Sequence, residues 1–346
     1  MRELPEGMVQ GAQTRVVRTI LTMNPRLARR MAGTPDVDEA PLDPNLQLLL
    51  RAKAFTGEGG FAAQGSVAAA RRYFRFMSRQ LLTRPEPAVA DTRDLVVPAS
   101  PQPIPVRVYR PAPAPERLPA IVYFHGGGFC VGDLDTHDAL CRRLANGVHA
   151  LVVSVDYRLA PEHPAPAASE DAEAAARWVL EHAESLGVDA ARIAVAGDSA
   201  GGNLACVVGS RVEGLCYQLL LYPVVQPGLI TPSMTRFAEG YGLDRVDVDF
   251  FMSHFLTEVA TADPRVAPLR SPELHRCPPT RLMLAGFDVL RDEGRHLGEA
   301  LRAAGVDVTT VTYGSLTHGF AQMTWSGACR DALDAGVAAL RRALQG

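Results

Sequence analysis

A serine stands at position 199 inside Gly197-Asp198-Ser199-Ala200-Gly201, after the apolar run Ile193–Ala196 and before a run that reads as a helix. Strand, tight turn and helix together lift a serine hydroxyl into the open, and the flanking glycines keep Cβ atoms off the neighbouring strand and helix. The helix that begins there sets the Ala200 N–H and a positive helix end beside the point where an attacked carbonyl gathers negative charge. A second glycine run, His125-Gly126-Gly127-Gly128, follows an earlier strand-like stretch. Its backbone N–H groups, unobstructed by side chains, can approach the same oxyanion. A nucleophilic serine also needs a base and an acid to orient it, and on this architecture they follow in the order serine, acid, histidine. His254 falls in an aromatic segment, His275 among prolines and His296 inside a helix, whereas His318 sits in a loop after the last strand beside Gly319. Asp288 ends the strand RLMLAGF; Asp292 and Glu293 read as N-terminal charges of the following helix. Asp244, Asp247, Asp249 and Asp263 lie away from the strand ends. The assignment is Ser199 as nucleophile, His318 as base and Asp288 as orienting acid, a set suited to acyl transfer to water without metal or organic cofactor.

These residues need strand ends to hold them. From about residue 91 the chain alternates strand-like and helical runs: TRDLVVPAS and IPVRVYRPA as an antiparallel pair, then AIVYFHGGG, ALVVSVDYR, RIAVAGDSAGG, YQLLLYPVV, TRLMLAGFDVL and VDVTTVTYG as strands with helices between. Such alternation predicts an α/β fold with a mainly parallel central sheet and helices on both faces. Residues 1–90 read as helical with no strand-like run, including a basic amphipathic stretch over Thr14–Met31, and have no sheet of their own. Residues 226–270 break the rhythm with VDVDFFMSHFL. The expected organisation is therefore 91–225 and 271–346 as the two parts of the core, with 1–90 and 226–270 forming a helical cap over the strand ends.

The chain has 346 residues, 47% of them hydrophobic, enough for one large core. A formal charge of -3 gives no general attraction to nucleic acid. No apolar run near 18 residues and no secretory signal pattern is present, so no stable membrane insertion and a cytoplasmic setting are expected. The six scattered cysteines show no metal-ligand spacing and read as reduced thiols. Lys53 is the only lysine; the arginine bias carries no functional reading.

With these residues in hand, the sequence resembles the bacterial hormone-sensitive-lipase-like family of α/β-hydrolase carboxylesterases. The blocks HGGGF, VDYRLAPEHPAPAA, GDSAGGN, YPV, DPRVAPL, AGFDVLRDEG and HGF carry the resemblance from about Leu95 to the C-terminus. It implies oxyanion donors at Gly127, Gly128 and Ala200, with His125 and Asp198 as supporting residues. It also implies a helical cap, hydrolysis of small short- to medium-chain carboxylic esters, and a homodimer through the sheet edge. Phe129 and Tyr157 can line the substrate pocket or simply pack. Asp156 and Arg158 can make charge-assisted bonds under the oxyanion loop. The sequence departs from the family at Val289, where proline is usual, in the glycine-bearing stretch after the elbow, and in its longer N-terminus. The same triad can cleave an amide, a lactone or an acetylated sugar. A non-catalytic ligand-binding scaffold typically lacks the histidine that His318 supplies here.

Overall fold

The runs LPAIVYF, LVVSV, YQLLL and TRLMLAGF are too apolar to face water on either side, and they lie in the interior of one sheet. The computed structural model describes residues 36–37, 40–81, 87–99, 101–113, 117–258 and 260–345. The expected helix over Thr14–Met31 lies outside the described residues. The sheet has eight strands: β3 (Asp91–Val97), β4 (Ile104–Arg110), β5 (Leu118–Phe124), β6 (Leu151–Val155), β7 (Val188–Asp198), β8 (Tyr217–Leu221), β9 (Thr280–Phe287) and β10 (Val308–Thr317), in the order β10-β9-β8-β7-β5-β6-β4-β3. The β3–β4 and β4–β6 pairs are antiparallel and the other five are parallel. The fold is thus the expected α/β class.

Five helices accompany the strands: α3 (Asp138–Val148), α4 (Ala167–Glu181), α5 (Ala200–Arg211), α8 (Arg291–Ala303) and α9 (Gly327–Gln345). The first packs on α9, α4 packs on α5, and α8 lies on β9 and β10. Helix α5 holds Gly209 inside its last turn and stops before Gly214, whose φ of 90° marks the turn beyond. Gly209 lets the helix close on β8, because an added Cβ would meet the Gln218 side chain.

The N-terminal segment is not purely helical. Two short strands, β1 (Asp36–Val37) and β2 (Ala40–Pro41), form a small antiparallel pair that no apolar run of theirs announced. The chain beyond them is tied to β10 by the Asp43 N–H, which donates to the Ser315 carbonyl at 2.9 Å. Asp43 then caps α1 (Pro44–Thr56), its carboxylate accepting from the Asn45 and Leu46 N–H groups at 3.1 Å. Gly57, at φ 67°, closes that helix in the left-handed conformation. Helix α2 (Val67–Leu81) follows, and in the later insertion come α6 (Pro232–Arg236) and α7 (Arg245–Phe255). Phe61 lies 5.0 Å from Phe251 of α7 and 5.7 Å from Phe74 of α2, ring centre to ring centre. The Asp247 carboxylate accepts the Ala62 N–H at 2.8 Å. Elements nearly two hundred residues apart in the chain thereby meet over the sheet.

Candidate active site

Parallel pairing brings three strands to one end of the sheet, and each delivers one side chain in the residue just past its last. Ser199 follows β7, Asp288 follows β9 and His318 follows β10. The strand β10 runs through Ser315 to Thr317, so His318 leaves the strand end directly rather than from the longer loop expected. Thr317 pairs with Phe287, which holds the histidine level with Asp288. His318 Nδ1 lies 2.8 Å from Asp288 Oδ2, and Nε2 lies 2.9 Å from Ser199 Oγ. The second Asp288 oxygen accepts the Leu290 N–H at 2.9 Å. Asp288 is 1% exposed, so its charge acts on the histidine with little screening. Val289, where proline is usual, leaves this carboxylate in reach of His318, and its carbonyl accepts from Ser233 Oγ.

Ser199 has φ 54° and ψ -117°, a backbone conformation that side-chain-bearing residues seldom adopt. Its N–H donates to the Leu221 carbonyl, and the Asn203 and Val224 N–H groups donate to its own carbonyl. These bonds hold the turn closed. Gly197 and Gly201 are required by contact, since a Cβ at either would run into the backbone of its neighbours. Ala200 opens α5, and a first-turn N–H has no partner within its helix.

The glycine loop after β5 turns on Gly127, whose carbonyl accepts from the Cys130 and Val131 N–H groups. Among the described residues the N–H groups of Gly127 and Gly128 donate to no protein acceptor, and both residues line a cleft above Ser199 and His318. Asp198 fixes the base of this loop. Its Oδ1 accepts the Gly126 N–H at 2.8 Å and the Tyr123 hydroxyl at 2.5 Å, with His137 Nε2 at 3.4 Å. Burial alone pushes its carboxyl up, but His137, Tyr123 and the Gly126 N–H outweigh that and hold it below the usual carboxylate range. His125 is fully buried; burial, helped by His137, brings it down to about 4, so it is neutral at pH 7.

Residues 121–322 match the profile of a family described as the alpha/beta hydrolase fold. Over 328 residues the chain is 42% identical to carboxylic ester hydrolase LipN of Mycobacterium tuberculosis, an alignment covering 90% of this chain and 86% of that one. The chain belongs to the α/β-hydrolase fold family, in its hormone-sensitive-lipase-like branch. An ethyl acetate hydrolase of Pseudomonas putida is 38% identical over 251 residues, 70% of this chain and 78% of that one. A solved thermostable esterase from Pseudomonas putida superposes with a TM-score of 0.83 at 33% identity, covering 91% of this hydrolase and 99% of that chain.

Several expectations need correction within the hydrolase. Phe129 and Tyr157 do not line the cleft. Phe129 is fully buried with its ring stacked on Phe255 at 3.9 Å, and Tyr157 stacks on His125 and donates its hydroxyl to the His125 carbonyl at 2.7 Å. Both take the packing alternative, because each ring is stacked on an aromatic partner. Arg158 does make the expected charge-assisted bond, to Asp171 at 2.8 Å, but Asp156 does not share in it. Burial, with the Asp133 charge adding to it, pushes the Asp156 carboxyl up to about 6.

Asp292 and Glu293 are more than helix-end charges. Asp292 pairs with Arg291 and accepts the Ser233 N–H, while Glu293 is 2% exposed and accepts the Val225 N–H at 2.8 Å. Burial first, then the charge of Asp288, pushes the Glu293 carboxyl up to about 8. Both acids therefore pin the chain leaving β8 to the helix after Asp288. His254 and His275 face local carbonyls through Nδ1, and His296 is exposed on α8. The cleft walls come instead from Leu46 and Leu49 of α1, Phe61, Phe74 of α2, and Val248 and Phe251 of α7. Their helical spacing was the one signal of this in the sequence. His137 and Tyr123 carried none, since their partner Asp198 lies at least sixty residues away. Among the described residues no group of three His, Cys, Asp or Glu side chains is placed to hold a metal ion, and no helix is long and apolar enough to cross a membrane.

Proposed function

We propose that this chain is a serine carboxylesterase that hydrolyses small carboxylic esters of short to medium chain length through an acyl-enzyme on Ser199. The observation that carries this is the line Ser199 Oγ–His318 Nε2–Asp288 at 2.9 and 2.8 Å, ending under free glycine N–H groups in an apolar cleft. Relatives named for ester hydrolysis support the reaction class.

His318 takes the Ser199 proton as Oγ attacks the ester carbonyl, and Asp288 stabilises the imidazolium and fixes its tautomer. The Gly127, Gly128 and Ala200 N–H groups receive the oxyanion. The alcohol leaves with the proton from His318, and water then repeats the sequence on the acyl-enzyme. The supporting residues are His125, neutral and stacked on Tyr157, and Asp198, which sets the height of the glycine loop. The cap is formed by the described helices of residues 1–90 together with the insertion 226–270; the core comprises 91–225 and 271–346. The reading includes a reducing, cytoplasmic setting, for which the six free cysteines speak, and a homodimer through the sheet edge.

The test is initial rates on p-nitrophenyl esters from acetate to palmitate for the wild type and Ser199→Ala, with a serine-directed phosphonate as label. Activity peaking at short chains, lost by about 10⁶-fold in kcat in the variant and matched by labelling at Ser199, is expected. Folded wild type that neither turns over nor takes the label overturns the assignment. Sedimentation of the purified chain checks the dimer.

A further inference from the structure

Leu46, Leu49, Leu50 and Lys53 follow one another at helical spacing along α1, and all four line the cleft. The first three make an apolar stripe. The fourth, where that stripe calls for another apolar residue, is the only lysine in 346 residues. Among the described residues no other lysine or arginine lines the cleft.

The ammonium has one protein partner among those residues, and that partner is uncharged. Lys53 Nζ donates to the Tyr73 hydroxyl at 3.0 Å, and Tyr73 in turn donates to Glu58 Oε1 at 3.0 Å. Burial, reinforced by Glu58, pushes the Tyr73 hydroxyl well above its ordinary value, so it remains a neutral relay. Glu58 stands behind Tyr73 and does not line the cleft. Asp198, the acid that does line it, is already bonded to Tyr123 and the Gly126 N–H, with His137 close by. A lysine ammonium has three N–H donors, so two are left without a protein acceptor among the described residues. A half-buried cation on an apolar wall gains most from an anion that closes over it and excludes water.

We infer that Lys53 and Tyr73 are specificity-determining residues that receive a carboxylate on the substrate, so that the preferred esters carry a negative charge remote from the scissile bond. Hemiesters of dicarboxylic acids are the simplest members of that class. The inference rests on the esterase reading above and deepens it. The apolar side chains between Ser199 and Lys53 accept a methylene spacer; the ammonium accepts the charged end. Productive binding then depends on spacer length, as it does not for a neutral acyl chain ending in the same wall.

The experiment compares kcat/KM on p-nitrophenyl hemiesters of succinate through suberate with neutral p-nitrophenyl esters of matched chain length. A second arm places the carboxylate on the alcohol side, using butyrate esters of hydroxy acids. For each protein the readout is the charged-to-neutral ratio, in which effects common to both substrates cancel. One spacer length is expected to stand out in one of the two arms. Its ratio should fall about tenfold in Lys53→Met, recover in Lys53→Arg, and rise in Glu58→Gln. In the wild type the same ratio should fall as salt is raised from 10 to 500 mM, a readout that does not depend on any variant folding. A ratio indifferent to salt and to Lys53→Met, in an enzyme that still hydrolyses neutral esters, overturns the inference and leaves the esterase standing. Failure on neutral esters overturns the esterase reading, and this inference with it.

Discussion

Ser199 stores strain where it is useful. At φ 54° its Cβ is crowded by its own backbone, a cost of about 1–3 kcal/mol that glycine does not bear. Ser199→Gly should therefore lose turnover and still unfold at a higher temperature than the wild type, with a gain of about 1 kcal/mol; calorimetry of the pair checks it. Glu293 makes a second prediction. Folding raises its carboxyl to about 8, so the folded chain keeps a proton that the unfolded chain has already released. Its stabilising contribution is present below the ordinary carboxyl range and is lost as pH rises toward 8. Thermal melts from pH 5 to 9 should show wild type falling relative to Glu293→Gln by on the order of a few kcal/mol across that window. At this scale the sequence singled out Ser199, Asp288 and His318, which the structure brings within hydrogen-bond reach of one another. Ser199 and Asp288 each follow an apolar run that reads as a buried strand, His318 follows the β-branched run of the edge strand β10, and strand ends are legible. It did not show what Glu293, Tyr157 or Lys53 touch. Their partners are set by burial and by chain segments remote in sequence, as with the Val225 N–H that meets Glu293 across 68 positions.

Among the elements, the glycine loop after β5 and the turn into α5 depend on contacts too close for a side chain. Gly127 lies at φ 130°, and a Cβ there would meet the Val131 carbonyl. Gly127→Ala must swing the loop and carry its N–H groups off the oxyanion position proposed above. A loss of about 10²–10³ in kcat is expected, with KM changed far less, because the donors act on the transition state. Steady-state kinetics on a short neutral ester separates the two. The interior strands were easy to read because each is a short, dense apolar run between breakers, and the outer ones β3, β4 and β10 because they are rich in β-branched residues. The hairpin of β1 and β2 was not, since two-residue strands have no period to detect. The proposed cap reads in the sequence only as an interruption: its helices show apolar faces, but which faces meet depends on contacts such as Phe61 with Phe251.

At the scale of the molecule, one cluster of buried side chains runs from Leu42 to Leu344 and takes in Phe251 and Phe255 of α7. The two parts of the proposed cap are therefore continuous with the core, and a single carboxylate joins them. Asp247 accepts the Ala62 N–H from one part and the Asp244 N–H from its own. Asp247→Ala leaves both donors without that acceptor and should cost about 1–3 kcal/mol. It should also raise KM for longer acyl chains more than for acetate, since the wall made by Phe61 and Phe251 loosens. Melting temperature and an acyl-length series test the two parts of that expectation together.

The order of the strands also sets a schedule. On the side of the nucleophile the sheet is laid down outward as β7, β8, β9 and β10, in the sequence in which a ribosome would deliver them. Ser199 precedes the histidine bonded to it by 119 residues, which at ~5–20 residues per second is a delay of about 6–24 s during synthesis. Through that interval Ser199 has been delivered and the histidine that bonds to it in the folded chain has not. If His318 is the base proposed above, a nascent or prematurely terminated chain lacking residue 318 should be inactive toward esters.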